Sequence, residues 1–237
     1  FERQGKFDNA IESFEDAIRL APDQSEYRSN LVRSQMAAGE FGDAEQTLTG
    51  GGDVDLDNIQ QASMVAALRA RQDDLEGALA IAEALKERHP GTSEPFAVEA
   101  ELLAASKKYE KASDAYDKAI TLSGPDRVLA FRAFMVRKNG GLSNPEFPLL
   151  DYLRKNPSDA EIRRNAAISF QSRGENEQAI EHFELALQAS PNDPVVLSGL
   201  AKALVGAGDS ERAVTLLERA LKVSDDFPKR DEAAQLL

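Results

Sequence analysis

Alanines recur along this chain at Ala10, Ala44, Ala78 and Ala112, each 34 residues after the one before, and the same interval returns between Ala179 and Ala213. The 67 residues from Ala112 to Ala179 hold one interval of 34 and one of 33, so a further unit lies between them with its alanine lost. The alanine belongs to a longer pattern. GKFDNAIESFEDAIRLAP (5–22) and GENEQAIEHFELALQASP (174–191) share Gly, Ala, Phe, Ala and Pro at equal offsets. A fixed period of this length restricts a chain to stacked copies of one supersecondary unit.

Each unit reads as two helices. In AIESFEDAIRL, apolar Ala10, Ile11, Phe14, Ala17 and Ile18 recur at three- and four-residue steps, the spacing of one helical face. In PVVLSGLAKAL, Leu197, Leu200, Ala201 and Leu204 form the matching stripe of a first helix. A turn at Gly39, Gly174 or Gly208 separates the two helices, and Pro22, Pro90 or Pro191 closes the unit. Small alanines let paired helices approach closely, so Ala112 and Ala179 are expected to lie buried at helix crossings. One hairpin cannot bury its own apolar face, so the units must stack.

This unit, with its series of Gly, aromatic, Ala, aromatic, Ala and Pro, resembles the tetratricopeptide repeat. The resemblance covers nearly the whole chain and is most specific over 1–23, 93–122 and 160–227. It implies an all-α fold, a right-handed α-solenoid of 34-residue helix–turn–helix units in a single array. The expected units are a partial one at 1–24, then 25–58, 59–92, 93–125, a degenerate 126–159, 160–193 and 194–227. Residues 228–237 would begin a capping helix or a further unit. The resemblance also implies a protein-interaction scaffold that receives a partner peptide or domain in a concave groove lined by the first helices.

Two stretches break the pattern. In LTGGGDVDLDNIQ (48–60), Gly50, Gly51 and Gly52 stand where sister units continue their second helix. Glycine costs about 1 kcal/mol per residue against alanine inside a helix, so three in a row end it early. Asp57 is expected to cap the next helix, with Gln60 completing a capping box. As a calcium loop the stretch fails, since Asn58 stands where Gly is wanted and Met64 where a bidentate Glu belongs. In NGGLSNPEFPLLDYL (139–153), Asn144 is expected to cap and Pro145 to open a short, late helix.

Composition excludes several functions. The 237 residues contain no Cys, and the two histidines, His89 and His182, are 93 positions apart, so thiolate and paired-imidazole chemistry are not expected. The net charge of −13 disfavours nucleic acid and anionic membranes and favours neutral or basic partners. No apolar run approaches the length of a membrane span. Acidic pairs such as Asp73–Asp74 fall in inter-helix turns, and no serine sits in a nucleophile elbow. Neither an enzyme nor a cofactor is expected. The chain begins at Phe1 without a Met and reads as an excised segment, so cytoplasm and periplasm both stay open.

The family's carboxylate clamp uses Lys, Asn and Arg on consecutive first helices. The matching residues here, Ser29 and Arg33, Gln60 and Met64, Ala97 and Glu101, Arg127 and Phe131, do not supply it. Taking residues opposite the core stripe, the groove face is expected to include the basic Arg33, Arg71, Arg127, Arg137, Lys138, Arg164 and Lys202. Acidic Glu26, Glu94, Glu101 and Glu161 share it, as do apolar Met64, Phe131 and Phe134. The balance of seven cations against four anions points to a partner segment with acidic and apolar residues. Phe131 and Phe134 have an alternative place in the inter-repeat core. Two other readings compete: a tetratricopeptide arm of a bacterial polysaccharide or envelope export machine, and a self-assembling scaffold. The second finds a motive in the first unit, where Phe7, Ile11, Phe14 and Ile18 lack a covering partner helix, so weak self-association through this end is expected.

Overall fold

The helical stripes read from the sequence become α-helices throughout. The computed structural model describes residues 2–224, 226–228 and 230–235, with side chains from Lys6 onward. Among the described residues the regular structure is fourteen α-helices and no strand. The chain divides into two compact units, Phe1–Ser123 and Gly124–Leu237.

In the first unit, α1 (Glu2–Leu20) packs on α2 (Ser25–Ala38), and α2 on α3 (Phe41–Thr49). Two further hairpins follow, α4 (Ile59–Arg71) with α5 (Leu75–Arg88) and α6 (Glu94–Ala105) with α7 (Tyr109–Ser123). In the second unit, α8 (Arg127–Asn139) pairs with α9 (Phe147–Lys155), and α10 (Ala160–Ser172) with α11 (Asn176–Ala189). Then α12 (Pro194–Ala207) pairs with α13 (Ser210–Val223), and α14 (Arg230–Gln235) follows. Successive first helices also touch, α4 with α6, α10 with α12 and α12 with α14. Within each unit this is a stack of helical hairpins with its first helices side by side.

Five of the six periodic alanines are buried, and Ala10 is half-buried. Ala44, Ala78, Ala112 and Ala179 have no exposed surface and Ala213 almost none, as the close-approach argument requires of Ala112 and Ala179. In the second unit they surround the fully buried Phe183, Leu197 and Leu217. Along α1, Phe7, Ile11, Phe14 and Ile18 are half-buried, while Leu20 is exposed.

Helix α3 ends at Thr49 because Gly50 and Gly51 adopt left-handed backbone, φ 65° and 77°, which side chains with a Cβ resist. The segment after it is a strap rather than a solvated linker. Val54 and Leu56 pack against the α4–α5 core, His89 Nε2 donates to the Leu56 carbonyl at 2.7 Å, and Arg88 grips Asp57 at 2.6 Å. The cap of α4 is therefore Asn58, whose side chain accepts from the Gln61 N–H at 3.1 Å, and not Asp57. Asp57 is turned toward Arg88, which holds its carboxyl below the usual range by hydrogen bond and charge. With that carboxylate engaged and Asp55 accepting the Asp57 N–H, added calcium should leave the melting temperature unchanged. A calcium-dependent rise, abolished by Asp53→Asn with Asp55→Asn, would show that the loop binds the ion.

A second correction falls in the degenerate hairpin. Asn144 does not cap α9. It lies in left-handed backbone at φ 47°, its carbonyl accepts the Phe147 N–H, and Glu146 takes the cap position ahead of Phe147. The reason is tertiary: Glu146 is only 3% exposed and is drawn under α10 by Arg173.

Candidate functional site

The first helices of the second unit are held in register by charge. Asp126, Asp159 and Asp193 cap α8, α10 and α12, each accepting backbone N–H groups at its helix start. Two of these caps also bind an arginine from the preceding first helix. Arg127 donates to Asp159 Oδ2 at 2.9 Å and to Glu161, and Arg164 donates to Asp193 Oδ2 at 3.0 Å. Lys202 pairs with Glu232 of α14 in the same manner. Burial works against the Asp159 charge, but the Ile162 N–H, Arg127 and the Tyr152 hydroxyl together keep its carboxyl below the ordinary value. Exposed pairs of this kind contribute roughly 0–1 kcal/mol each, so their role is alignment more than stability.

This ladder changes the expected electrostatics. Arg127, Arg164 and Lys202 were read as part of a cationic surplus, and the structure pairs each with a carboxylate on the next first helix. Over this stretch the face is locally balanced. The paired spacings, 127 to 159 and 164 to 193, close to one period, are the sequence signal for it.

Along the same face α10, α12 and α14 enclose a cleft of about 180 Å³. Ile168, Val195, Pro228 and Ala233 supply apolar lining, and the ion-paired Lys202 and Glu232 form part of the wall. The remaining polar groups are already oriented: Gln171 Nε2 donates to the Gly199 carbonyl at 2.8 Å and Ser198 Oγ to the Val195 carbonyl at 3.2 Å. A larger groove lies on the opposite helices, between α11 and α13, lined by Leu187, Pro191 and Leu216. It is already bridged by Arg212 to Glu184 and by Arg219 to the Pro191 carbonyl, both at 2.6 Å.

The other expected site residues are dispersed. Phe134 is buried among Ala130, Leu149 and Leu153, so its alternative place in the core is the one it occupies, beyond the reach of a surface ligand. Phe131 is half-buried at 6.1 Å from the Phe134 ring, with Lys138 above that ring at 5.7 Å. Arg137 lies 5.9 Å from the ring of Phe147, an exposed aromatic that the periodic reading did not single out. In the first unit, Arg33, Arg71 and Glu101 are exposed, Met64 is 36% exposed, and Arg71 stacks on Phe41 at 5.6 Å. Ile168 and Val195 were also missed, although an apolar residue opposite the core stripe of a first helix is a legible signal.

Beneath this surface lies a buried polar network. Arg173 donates to Glu146 through both terminal nitrogens, at 2.5 and 2.8 Å, and Ser169 adds a contact to Glu146 at 3.2 Å. Burial opposes the Glu146 charge, yet Arg173, the backbone and Ser169 still bring its carboxyl below the ordinary value. Arg173 covers one neighbour of this network, Phe170, at 5.3 Å, and His182 stacks on the same ring at 5.4 Å. His182 is half-buried, and burial, assisted by Arg163, lowers its pKa, so the neutral imidazole is the form that packs.

Among the described residues no group of three or more His, Asp or Glu side chains is arranged to hold a metal. None of the helices searched is long and apolar enough to cross a membrane. A tetratricopeptide repeat family model matches residues 2–68 and 170–237, together more than half of the chain. The chain belongs to the tetratricopeptide repeat family. Solved structures share the fold at low identity. YrrB, described as a tetratricopeptide repeat protein with an unusual peptide-binding site, is 17% identical over 81% of this chain and 99% of its own, with a TM-score of 0.59. MamA is 15% identical over 73% of this chain and 94% of its own, with a TM-score of 0.57. A tetratricopeptide repeat protein from Parabacteroides merdae is 19% identical over 100% of this chain and 93% of its own, with a TM-score of 0.51. No curated protein matches the chain. Tetratricopeptide repeat proteins generally bind other proteins or peptides and are generally not enzymes.

Proposed function

We propose that this tetratricopeptide protein is a non-enzymatic interaction scaffold that takes an extended peptide on the first-helix face of its second unit. The observation that carries the reading is the cleft between α10, α12 and α14. Its volume of about 180 Å³ suits one aliphatic side chain, and it is smaller than the ~300–1,000 Å³ typical of small-molecule sites. Ile168, Val195 and Ala233 would receive that side chain, and Gln171, Ser198 and the Lys202–Glu232 pair would face the peptide backbone on either side. Small buried contacts of this kind carry most of the energy of an interface, and the surrounding polar rim sets orientation. The peptide-binding description of YrrB supports peptide recognition on this fold, without transferring its residues.

The test is to select binders for the full chain from a displayed random-peptide library and measure them against Val195→Asp. An aspartate in the first turn of α12 suits the helix dipole, so the fold should be kept. Val195 also packs against the core, so the melting temperature should fall; the expected result is a loss of affinity of about tenfold or more, on the order of 1.4 kcal/mol, in a chain still folded at the assay temperature. Undiminished binding of every selected peptide would remove the cleft from the site.

A further inference from the structure

We propose that His182 makes the α10–α11 hairpin sensitive to acid, its protonation loosening the second unit as the pH falls through the range of histidine titration. The proposal is independent of the peptide-binding reading above. His182 lies in α11 with its ring stacked on Phe170 of α10, the centroids 5.4 Å apart and the planes 21° from parallel. Its Nδ1 is buried and meets no hydrogen-bond partner among the described residues. The neutral ring tolerates this, because Nδ1 stays without a proton while Nε2 carries it. Protonation ends that arrangement. Both ring nitrogens then become donors, and the one at Nδ1 has no acceptor. An unmet donor that also carries charge is costly to keep out of water.

The surroundings offer little relief. Phe170 already carries the Arg173 guanidinium at 5.3 Å, so a second cation on that ring meets a like charge. Burial first, and Arg163 of α10 second, hold the folded-state pKa of His182 below the ordinary 6.5. Glu181, exposed beside it in α11, and Glu146, ahead of α9, attract an imidazolium more weakly than these oppose it. The oxygens of Glu146 are in any case taken by Arg173 and Ser169. The charges of α12 and α13 are committed to other partners, Asp193 to Arg164, Lys202 to Glu232 and Arg212 to Glu184. The unfolded chain therefore binds this proton more readily than the folded one. Stability is complete above about 6.5 and is lost as pH falls below it toward the folded value. The depressed carboxyls of Glu146 and Asp159 give up their contribution only below about 4.3, outside this window.

The test is denaturant unfolding of the full chain at about pH 7.5 and about pH 5.5. The expected result is a lower midpoint for the parent at the acid pH. Most of that fall should be absent from His182→Phe, whose ring keeps the stack on Phe170 without a titrating nitrogen. Arg163→Gln should shrink the fall, because it removes a like charge, while its lost contact with the Pro157 carbonyl lowers both midpoints alike. A measurement on the unaltered chain stands beside the variants. The sequence holds only two histidines, so NMR resolves both imidazoles, and His89→Gln assigns them. His182 should titrate below the ordinary histidine value. Titration at or above about 6.5 would overturn the proposal. So would a folded His182→Phe chain that keeps the parent's full acid response.

Discussion

Replacing Arg173 by leucine is expected to destabilise the second unit by about 3–5 kcal/mol, the penalty of leaving a buried charge without its partner. Glu146 is only 3% exposed, and both terminal nitrogens of Arg173 reach its two oxygens. Without the guanidinium that carboxylate keeps only Ser169 and its own backbone. The sign of the pH response separates this from a packing loss. In the parent, the folded-state pKa of Glu146 is depressed. Its contribution is therefore fully present above the unfolded value of about 4.3 and is lost as pH falls through the folded value. In Arg173→Leu, burial outweighs the hydrogen bonds that remain from the backbone and Ser169 and raises the pKa, so the deficit should shrink as pH falls from 7 toward ~4.5. Glu146→Leu combined with Arg173→Leu should regain much of the loss, since apolar replacement of a buried pair is often neutral. Denaturant unfolding of the full chain at both pH values checks each arm. A double variant no more stable than the single one would place the loss in the Arg173 contact with Phe170.

The second large effect is at the crossing of α11 and α12. Phe183 is fully buried, and Phe183→Ala should cost about 3–5 kcal/mol through the cavity it leaves. The sharper test is the residue facing it. By helix propensity alone, Gly199→Ala inside α12 should stabilise the chain by about 1 kcal/mol. A Cβ at that position would lie 2.5 Å from Cζ of Phe183 and 2.7 Å from Cε1, however, and a ring buried on all sides has no room to yield. The net change expected is a destabilisation of about 1–3 kcal/mol from overpacking. In a Phe183→Leu background the clash is relieved, and the same substitution should become neutral or stabilising. Thermal melts of the four members of this cycle measure the coupling. Additive effects would mean that ring and glycine do not meet.

Much of the fold was legible because it repeats. The alanine period located where paired helices pack closely, since only a small side chain lets two helices approach there, and every copy of the unit but the degenerate one at 126–159 states the requirement again. The three glycines at 50–52 announced the end of α3 for an equally local reason, the cost of glycine inside a helix, and Gly50 and Gly51 take left-handed backbone there. The candidate site was legible only in outline. Helical spacing separates the buried stripe from the opposite face but leaves boundaries uncertain by a residue or two, which is enough to put Phe134 in the groove when it belongs to the core.

The sequence by itself determined the hairpin unit, its period and the division of each helix into a packed and an outward side, because these depend on spacing along one chain segment. Only the tertiary structure decided which charges are free to act. Arg127, Arg164 and Lys202 look like a cationic face until the neighbouring helix brings Asp159, Glu161, Asp193 and Glu232 against them. The same holds for Phe147, whose exposure follows from the burial of Glu146 beneath Arg173, 27 residues away in the chain. An ion pair between successive repeats depends on how helices are set side by side, and that distance is not written in the period of either one.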